Sequence, residues 1–345
     1  GEELPVGLEE TTVVGKILGA VRSVVANYPF QFDPAHNVRV LDGKEEGTFD
    51  WLTVQQLVRN KYDHVRADPD AYLSSYTAEK YRMLHHLGTS WNFAARGYPV
   101  GTMDLGGAST QLAFSMSAVP YDDKIAVSPK DVQSIKVFQT PEGSTADSLF
   151  VHSFLHYGII RARERLVSNL IEKIDRTDDA EVEVYVLNPC MNKRSKRTVT
   201  FLGDQYTLQG TSDPSSCIAE VSKLFDVKER RLDGVYIPPF PAEMRFVAFD
   251  HASRVSENLG IEGFYQLSDF LKKATDFCRL DKDYGKTLYP NMDEIEFENL
   301  CFESVYLYSL LHVGYSIPDT QSIVAFGDYL NEYELNWGLG AMVHE

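Results

Sequence analysis

The chain has 345 residues, 43% of them hydrophobic and 12% aromatic, and a formal charge of −17 at neutral pH. That length and composition suit a globular protein with a real core and room for two domains. The acidic balance excludes a basic groove for nucleic acid and would repel a polyphosphate that did not bring a cation or meet local N–H donors.

Glu2, Glu3, Glu9 and Glu10 give the first residues the wrong charge for a signal peptide. No apolar run approaches the roughly 18 residues of a membrane span. Val13, Val14, Ile17, Leu18, Val21, Val24 and Val25 recur at helical spacing over residues 12–27. Residues 37–41 alternate like a strand and lead into Glu45 and Glu46, read as a carboxylate pair at a strand end before Gly47. Such a pair is either a solvated acidic turn or the source of a general base. Residues 53–66 read as a helix. Residues 67–97 are broken by Asp-Pro-Asp, Ser-Ser and Gly-Thr-Ser. The adjacent His85 and His86 there cannot share a helix face and read as packing or surface residues.

Residues 98–114 read as strand, tight turn, strand. The first apolar run ends at Asp104, the turn carries Gly106, Gly107 and Ala108, and the second run follows Ser109, Thr110 and Gln111. Adjacent glycines can take positive φ and aim successive N–H groups at a phosphate. A carboxylate at the mouth of such a turn implies a cation between it and the phosphate, Mg²⁺ or Ca²⁺. The bland alternative is a hairpin with a glycine turn.

Residues 148–164 read as a helix with His152 and His156 four apart. No zincin glutamate and no third ligand accompany them, so packing is the better reading. Residues 183–187 alternate as a strand. Lys193, Arg194, Lys196 and Arg197 read as a solvated hairpin face, with attraction of an anionic substrate as the minor reading. Residues 217–226 read as a helix, 234–241 as a proline-stiffened extended segment, and 245–249 as a strand entering a helix. Asp283-Tyr-Gly-Lys-Thr287 imitates a nucleotide loop, but Leu280 stands where a P-loop needs glycine. The four cysteines include no C-x-x-C pair, which excludes a zinc ribbon. Their spacing suits two local disulfides, Cys190–Cys217 and Cys278–Cys301, in an oxidising compartment. Four buried free thiols are the alternative.

The string Asp104-Leu-Gly-Gly-Ala-Ser-Thr-Gln111 resembles the fourth conserved region of the apyrase (nucleoside triphosphate diphosphohydrolase) family, which belongs to the actin-like superfamily. Val40-Leu-Asp-Gly-x-Glu-Glu-Gly-x-x-x-Trp51 is similar to its third region, residues 301–311 to its fifth, and residues 334–342, with Trp337, to its C-terminal signature. Two places depart from the pattern. Gln55-Gln56 replaces the usual Asn-Tyr, a change expected to fall on helix packing. His251, Ala252 and Ser253 replace an aromatic cluster near the base, with Arg254 following.

The resemblance implies an α/β, actin-like (ribonuclease H-like) two-lobe phosphohydrolase with the second lobe complete and the first truncated. Residues 1–38 would be a first-lobe remnant, 39–322 the second lobe and 323–345 a return to the first lobe. It implies hydrolysis of nucleoside di- or triphosphates. Glu46 would activate water, and Ser109 and Gln111 would position it. Backbone N–H groups of Gly106, Gly107, Ala108 and Ser109 would hold the phosphoryl oxygens. Asp104 would hold Ca²⁺ or Mg²⁺ through water, and Arg254 could stack on the base. The expected place is the secretory lumen, the cell exterior or a membrane-anchored form facing outward. The family's upstream Asp-x-Gly-Ser-Ser and Ala-Thr-Ala-Gly-Met-Arg motifs have no counterpart here, so a completing N-terminal segment or chain is expected. Two alternatives remain: an exopolyphosphatase-like hydrolase with a similar glycine loop, or a truncated, non-catalytic nucleotide-binding relative.

Overall fold

The computed structural model describes residues 12–29, 33, 37–67, 100–140, 143–174, 184–241, 244–261, 263–321, 324–330 and 333–344. The His85–His86 pair lies outside them. Helix α1 is Val13–Val25, as its spacing predicts, capped by the Thr12 hydroxyl. Helix α2 is Gly43–Ala67. Strands β1, Gly101–Leu105, and β2, Ser109–Ser115, form the expected strand–turn–strand. A hairpin follows, β3 Val132–Thr140 and β4 Gly143–Leu155, and then helix α3, Ile159–Ile171.

A small sheet comes next: β5 Val184–Asn188, β6 Lys196–Phe201 and β7 Asp204–Gly210. Helix α4 is Pro214–Ser222. Strand β8, Phe246–Asp250, leads directly into α5, His251–Asn258. Among the elements that follow are β9 Gly263–Phe264, α6 Leu267–Cys278, α7 Lys282–Leu288, α8 Glu294–Ser309, β10 Val324–Phe326 and α9 Trp337–His344.

Two sequence readings change. Residues 148–155 continue a strand, and the helix begins only at Ile159. Leu149, Phe150, Val151 and Phe154 are all buried, so this strand is covered on both faces and lacks the alternation that marks a half-exposed one. Glu45 and Glu46 open a helix rather than close a strand.

The main sheet has seven strands in the order β9-β10-β8-β1-β2-β4-β3. Strands β10, β8 and β1 are parallel neighbours, while β2 and β4 run antiparallel. Strand β2 alternates strictly. Leu112 and Phe114 enter the larger core, where Phe114 stacks on Phe150 at 4.7 Å between ring centroids. Ala113 faces the other way, against Phe49, Trp51 and Leu52 of α2. Helix α2 thus lies across one face of the sheet. Helix α9 fixes it there: the Thr53 hydroxyl donates to Asn336 O at 2.8 Å and accepts from Gly340 N–H at 2.8 Å. A Cβ on Gly340 would stand 1.7 Å from Phe49 O, so only glycine allows this approach. The buried Gln55 amide donates to Val100 O at 2.6 Å, a packing role as expected.

Both disulfides form, Cys190–Cys217 and Cys278–Cys301, with Cα atoms 4.8 Å apart in each. They tie α4 to the end of β5 and α6 to α8. The loops they close contain 27 and 23 residues, for which chain entropy gives about 3 kcal/mol each. Paired Cys278→Ala/Cys301→Ala substitution is expected to lower the Tm by several degrees in calorimetry. An unchanged Tm would mean the α6–α8 contact needs no covalent tie.

Candidate active site

Helix α2 starts with a reciprocal cap. Asp42 Oδ1 accepts from Lys44 N–H at 2.7 Å, and Glu45 Oε2 accepts from Asp42 N–H at 3.1 Å. Glu45 also pairs with Arg39, 2.6 Å from its Nη1, and that bond holds its carboxyl below the usual glutamate range. Glu45 is therefore consumed at the helix end. Glu46 is turned toward the sheet, where burial and then the charge of Asp250 raise its carboxyl above the usual range. Neighbouring carboxylates with opposed shifts mark their different tasks.

The sheet supplies the opposite wall. In β2, Ser109, Gln111 and Ala113 share the face toward α2. Gln111 is paired with Asp104 of β1 and with Ser153 of β4 in register, so those side chains share that face too. The Gln111 amide Nε2 donates to Glu46 Oε2 at 2.6 Å and Ser109 Oγ at 3.1 Å, with Ser153 Oγ at 3.4 Å. A Cβ on Gly43 would lie 2.3 Å from Ser153 Oγ, and one on Gly47 3.2 Å from Gln111 Cβ. Glycine at these positions lets the helix lie close enough for Glu46 to reach Gln111.

The turn between β1 and β2 holds its shape differently from the sequence expectation. Neither Gly106 nor Gly107 takes a positive φ. The carbonyls of Gly106, Gly107 and Ala108 instead accept from the amides of residues 156 and 158–161, which caps the start of α3. In a trans peptide the next N–H points opposite the carbonyl, so the N–H groups of Gly107, Ala108 and Ser109 face away from α3. That is the arrangement an anion requires. On the far face, the buried Thr110 hydroxyl ties Asp104 O at 2.6 Å to Tyr315 Oη at 3.0 Å.

Sequence reading missed three carboxylates. The parallel strands β1, β8 and β10 all end at one edge, where ligands sit in open α/β sheets. Asp104 lies near that end of β1, Asp250 closes β8, and Asp328 follows β10. Asp250 is a non-glycine residue at φ 57° and ψ −126°, a strained conformation of the kind found at functional sites. Its N–H donates to Asp328 Oδ1 at 2.8 Å. The third is Asp50, one helical turn beyond Glu46 and buried. Asp50 Oδ2 and Asp104 Oδ1 are both buried without a hydrogen-bond partner. Burial comes first among the causes that push both carboxyls well up; the charges of Asp104, Glu46 and Asp250 add to it at Asp50, and those of Asp250, Glu46 and Asp328 at Asp104. The three strand-end aspartates carried a legible signal, because each closes a short apolar run: Gly101-Thr-Met-Asp104, Phe246-Val-Ala-Phe-Asp250 and Val324-Ala-Phe-Gly-Asp328.

Orphaned buried carboxylate oxygens suit a hard divalent cation. Among the described residues, no three histidine, cysteine or carboxylate side chains are grouped so as to hold one ion. The histidine pair is dispersed: His152 lies in β4 with Nδ1 2.8 Å from Asp131 Oδ1, and His156 sits in the following turn at φ 73°. Of the basic run, the two arginines pair with acidic side chains, Arg194 with Asp281 and Asp283, and Arg197 with Glu298, while Lys196 Nζ lies over the Tyr185 ring. Arg254 lies on α5, exposed, 3.5 Å from Asp250 Oδ1. Beside it His251 Nδ1 lies 3.1 Å from Leu105 O.

The model of the GDA1/CD39 (nucleoside phosphatase) family matches residues 9–345. Ectonucleoside triphosphate diphosphohydrolase 3 of Homo sapiens is 24% identical over 361 residues, covering 97% of this chain and 60% of its own length. Nucleoside-diphosphatase mig-23 of Caenorhabditis elegans is 26% identical, covering 89% and 54%. Golgi apyrase of Schizosaccharomyces pombe is 27% identical, covering 89% and 49%. The chain therefore spans half to three-fifths of the length of these relatives. Among solved structures, nucleoside triphosphate hydrolases from Neospora caninum align with a TM-score of 0.55 at 14% identity over 95% of this chain and 68% of that one. This likeness concerns the fold and bears out the α/β, actin-like class.

Proposed function

The chain belongs to the GDA1/CD39 (nucleoside phosphatase) family, and from that premise we propose that it hydrolyses the terminal phosphate of nucleoside di- or triphosphates. The observation that carries the reading is the Gln111 amide, which joins the Glu46 carboxylate to the Ser109 hydroxyl. A water held by Ser109 and Gln111 beside Glu46 lies over the turn whose amides would bind a phosphoryl group. Glu46 takes a proton from that water as its oxygen bonds to the terminal phosphorus. The bond from phosphorus to the bridging oxygen breaks, releasing phosphate and a nucleotide shortened by one phosphate. The N–H groups of Gly107, Ala108 and Ser109, with Gly106 allowing their close approach, hold the phosphoryl oxygens.

Asp104 would hold a divalent cation, Ca²⁺ or Mg²⁺, through water. That cation would neutralise phosphate charge that the acidic cleft repels. Arg254, exposed beside Asp250, would stack on the base. The two disulfides and the lumenal or cell-surface names of the relatives support a place outside the cytosol. No helix among the described residues is long and apolar enough to cross a membrane.

The test is phosphate release from ATP, ADP, GDP and UDP in Ca²⁺, Mg²⁺ or EDTA. Release from at least one nucleotide that EDTA abolishes is expected. Absence of release from all four in either cation would overturn the reading.

A further inference from the structure

Lys44 and His152 take no part in the scheme above, yet both reach one buried carboxylate. Asp131 ends the short turn Pro129–Asp131 that leads into β3, and it is 1% exposed. His152 Nδ1 lies 2.8 Å from Asp131 Oδ1. Lys44 Nζ lies 3.6 Å from the same oxygen and donates to Lys130 O. The two side chains come from opposite faces of the sheet. Val151 packs with Phe49 and Trp51 on the α2 face, and Ser153 meets Gln111 there. His152, between them, therefore points to the other face, where its ring meets Phe154. Strand β3 pairs with β4 only from Val132–Phe150 onward. Asp131 thus stands at the open edge of β4, where a helix side chain and a strand side chain can meet on one oxygen.

A second rung lies beside the first. The Thr48 hydroxyl, one helical turn after Lys44, bonds Lys44 O at 2.7 Å and Gln133 Oε1 at 3.1 Å. Four helical residues rise about 6 Å and two extended residues about 6.6 Å, so Lys44 and Thr48 match Asp131 and Gln133 rung for rung. The apolar contacts under α2 are non-directional. They hold the helix on the sheet without fixing how far along the sheet it lies. The polar seam does fix it, because a buried carboxylate that loses its donors is costly. Burial, helped by the charges of Lys44 and Lys130, keeps the His152 pKa below its ordinary value despite Asp131. The ring is then neutral at neutral pH, and the charge of Asp131 is left to Lys44. Lys44 stands two residues before Glu46, and His152 one before Ser153. The seam therefore joins the two segments that meet at Gln111.

We propose that Lys44 and Asp131, backed by His152, are positioning residues for hydrolysis: they set where α2 lies along the sheet and so hold Glu46 against Gln111. The inference rests on Glu46 being the base. Its test includes a measurement made without nucleotide, so the two readings fail separately.

The variants are Lys44→Met, Asp131→Asn, the pair together, and Lys44→Arg, which keeps the cation. Lys228→Met removes a cation that is 83% exposed and is the control. Amide hydrogen exchange is followed without nucleotide, and kcat, KM and Tm are measured with a nucleotide that the wild type cleaves. In Lys44→Met and Asp131→Asn, exchange at residues 46–50 should quicken about tenfold, with α8 unchanged. Their kcat should fall about tenfold with KM within about twofold. The pair should be no worse than the poorer single variant, because both act through one contact. Lys44→Arg and Lys228→Met should stay within about twofold of wild type in both measurements. Wild-type exchange at residues 46–50 in Lys44→Met would overturn the proposal. So would an unchanged kcat, a loss in the pair equal to the product of the single losses, or a Lys44→Arg chain as slow as Lys44→Met. If Asp131→Asn fails to fold, Lys44→Met and Lys44→Arg decide, since Lys44 is outside the core. A wild type that releases no phosphate would sink the proposed function, and the exchange would still report whether the seam holds α2.

Discussion

Glu46→Gln should lower kcat by about 10² to 10⁴-fold, the usual contribution of a positioned proton acceptor, with KM little changed. Glutamine keeps the volume and can still accept from Gln111, so the loss isolates proton transfer. Its neighbour provides the contrast. Glu45→Gln removes a partner of Arg39 and of the helix cap and should leave kcat near wild type. The pH profile carries a second signature. The base must be ionised to act, and burial and Asp250 raise its pKa above the ordinary glutamate range. Activity should therefore be full above that raised value and fall as the pH drops through it, placing the acid limb of kcat/KM higher than an exposed glutamate would. Equal loss in both variants, or an acid limb at the ordinary glutamate value, would remove Glu46 from its role.

Gly158→Ala should be the most damaging single methyl group in the molecule's site. Its φ of −70° and ψ of 155° suit alanine, so backbone strain is not the issue. The added Cβ would lie 2.4 Å from Ala108 C and Ser109 N, backbone atoms that cannot rotate aside. The turn must then shift by on the order of 1 Å, a misplacement that can cost about 100-fold in kcat/KM. Gly107→Ala meets only the tip of the Ile160 side chain, at 3.0 Å, and should cost far less. Steady-state rates for the two variants, with melts to follow stability, separate turn position from general destabilisation.

The central turn was legible because strand ends, glycines and hydroxyls stand next to one another in the chain. Its working geometry was not. The expectation of positive φ at Gly106 and Gly107 failed because the amides of residues 156–161 hold their carbonyls, and no local pattern reports a neighbour some 50 residues on. Glu46 was found by its motif but placed on the wrong element. The alternation of residues 37–41 suggested a strand, although Asp42 and Glu45 already had the three-residue spacing of a capping box. Strand β4 was read as helix because burial on both faces erased its period. Asp50 escaped notice because an acidic residue beside Trp51 on a helix looks like a surface position until the sheet is laid over it.

The anchoring of α2 by α9 has a consequence for how the site is assembled. Thr53 and Asn336 are separated by 283 residues, which at typical synthesis rates is on the order of half a minute of translation. Until that distant stretch emerges and docks, the helix bearing Glu46 lacks the contact that presses it onto the sheet, and Asp328 is not yet beside Asp250. The wall that carries Glu46 and Ser109 is thus a long-range assembly, tied together only when the stretch around Asn336 has docked on α2.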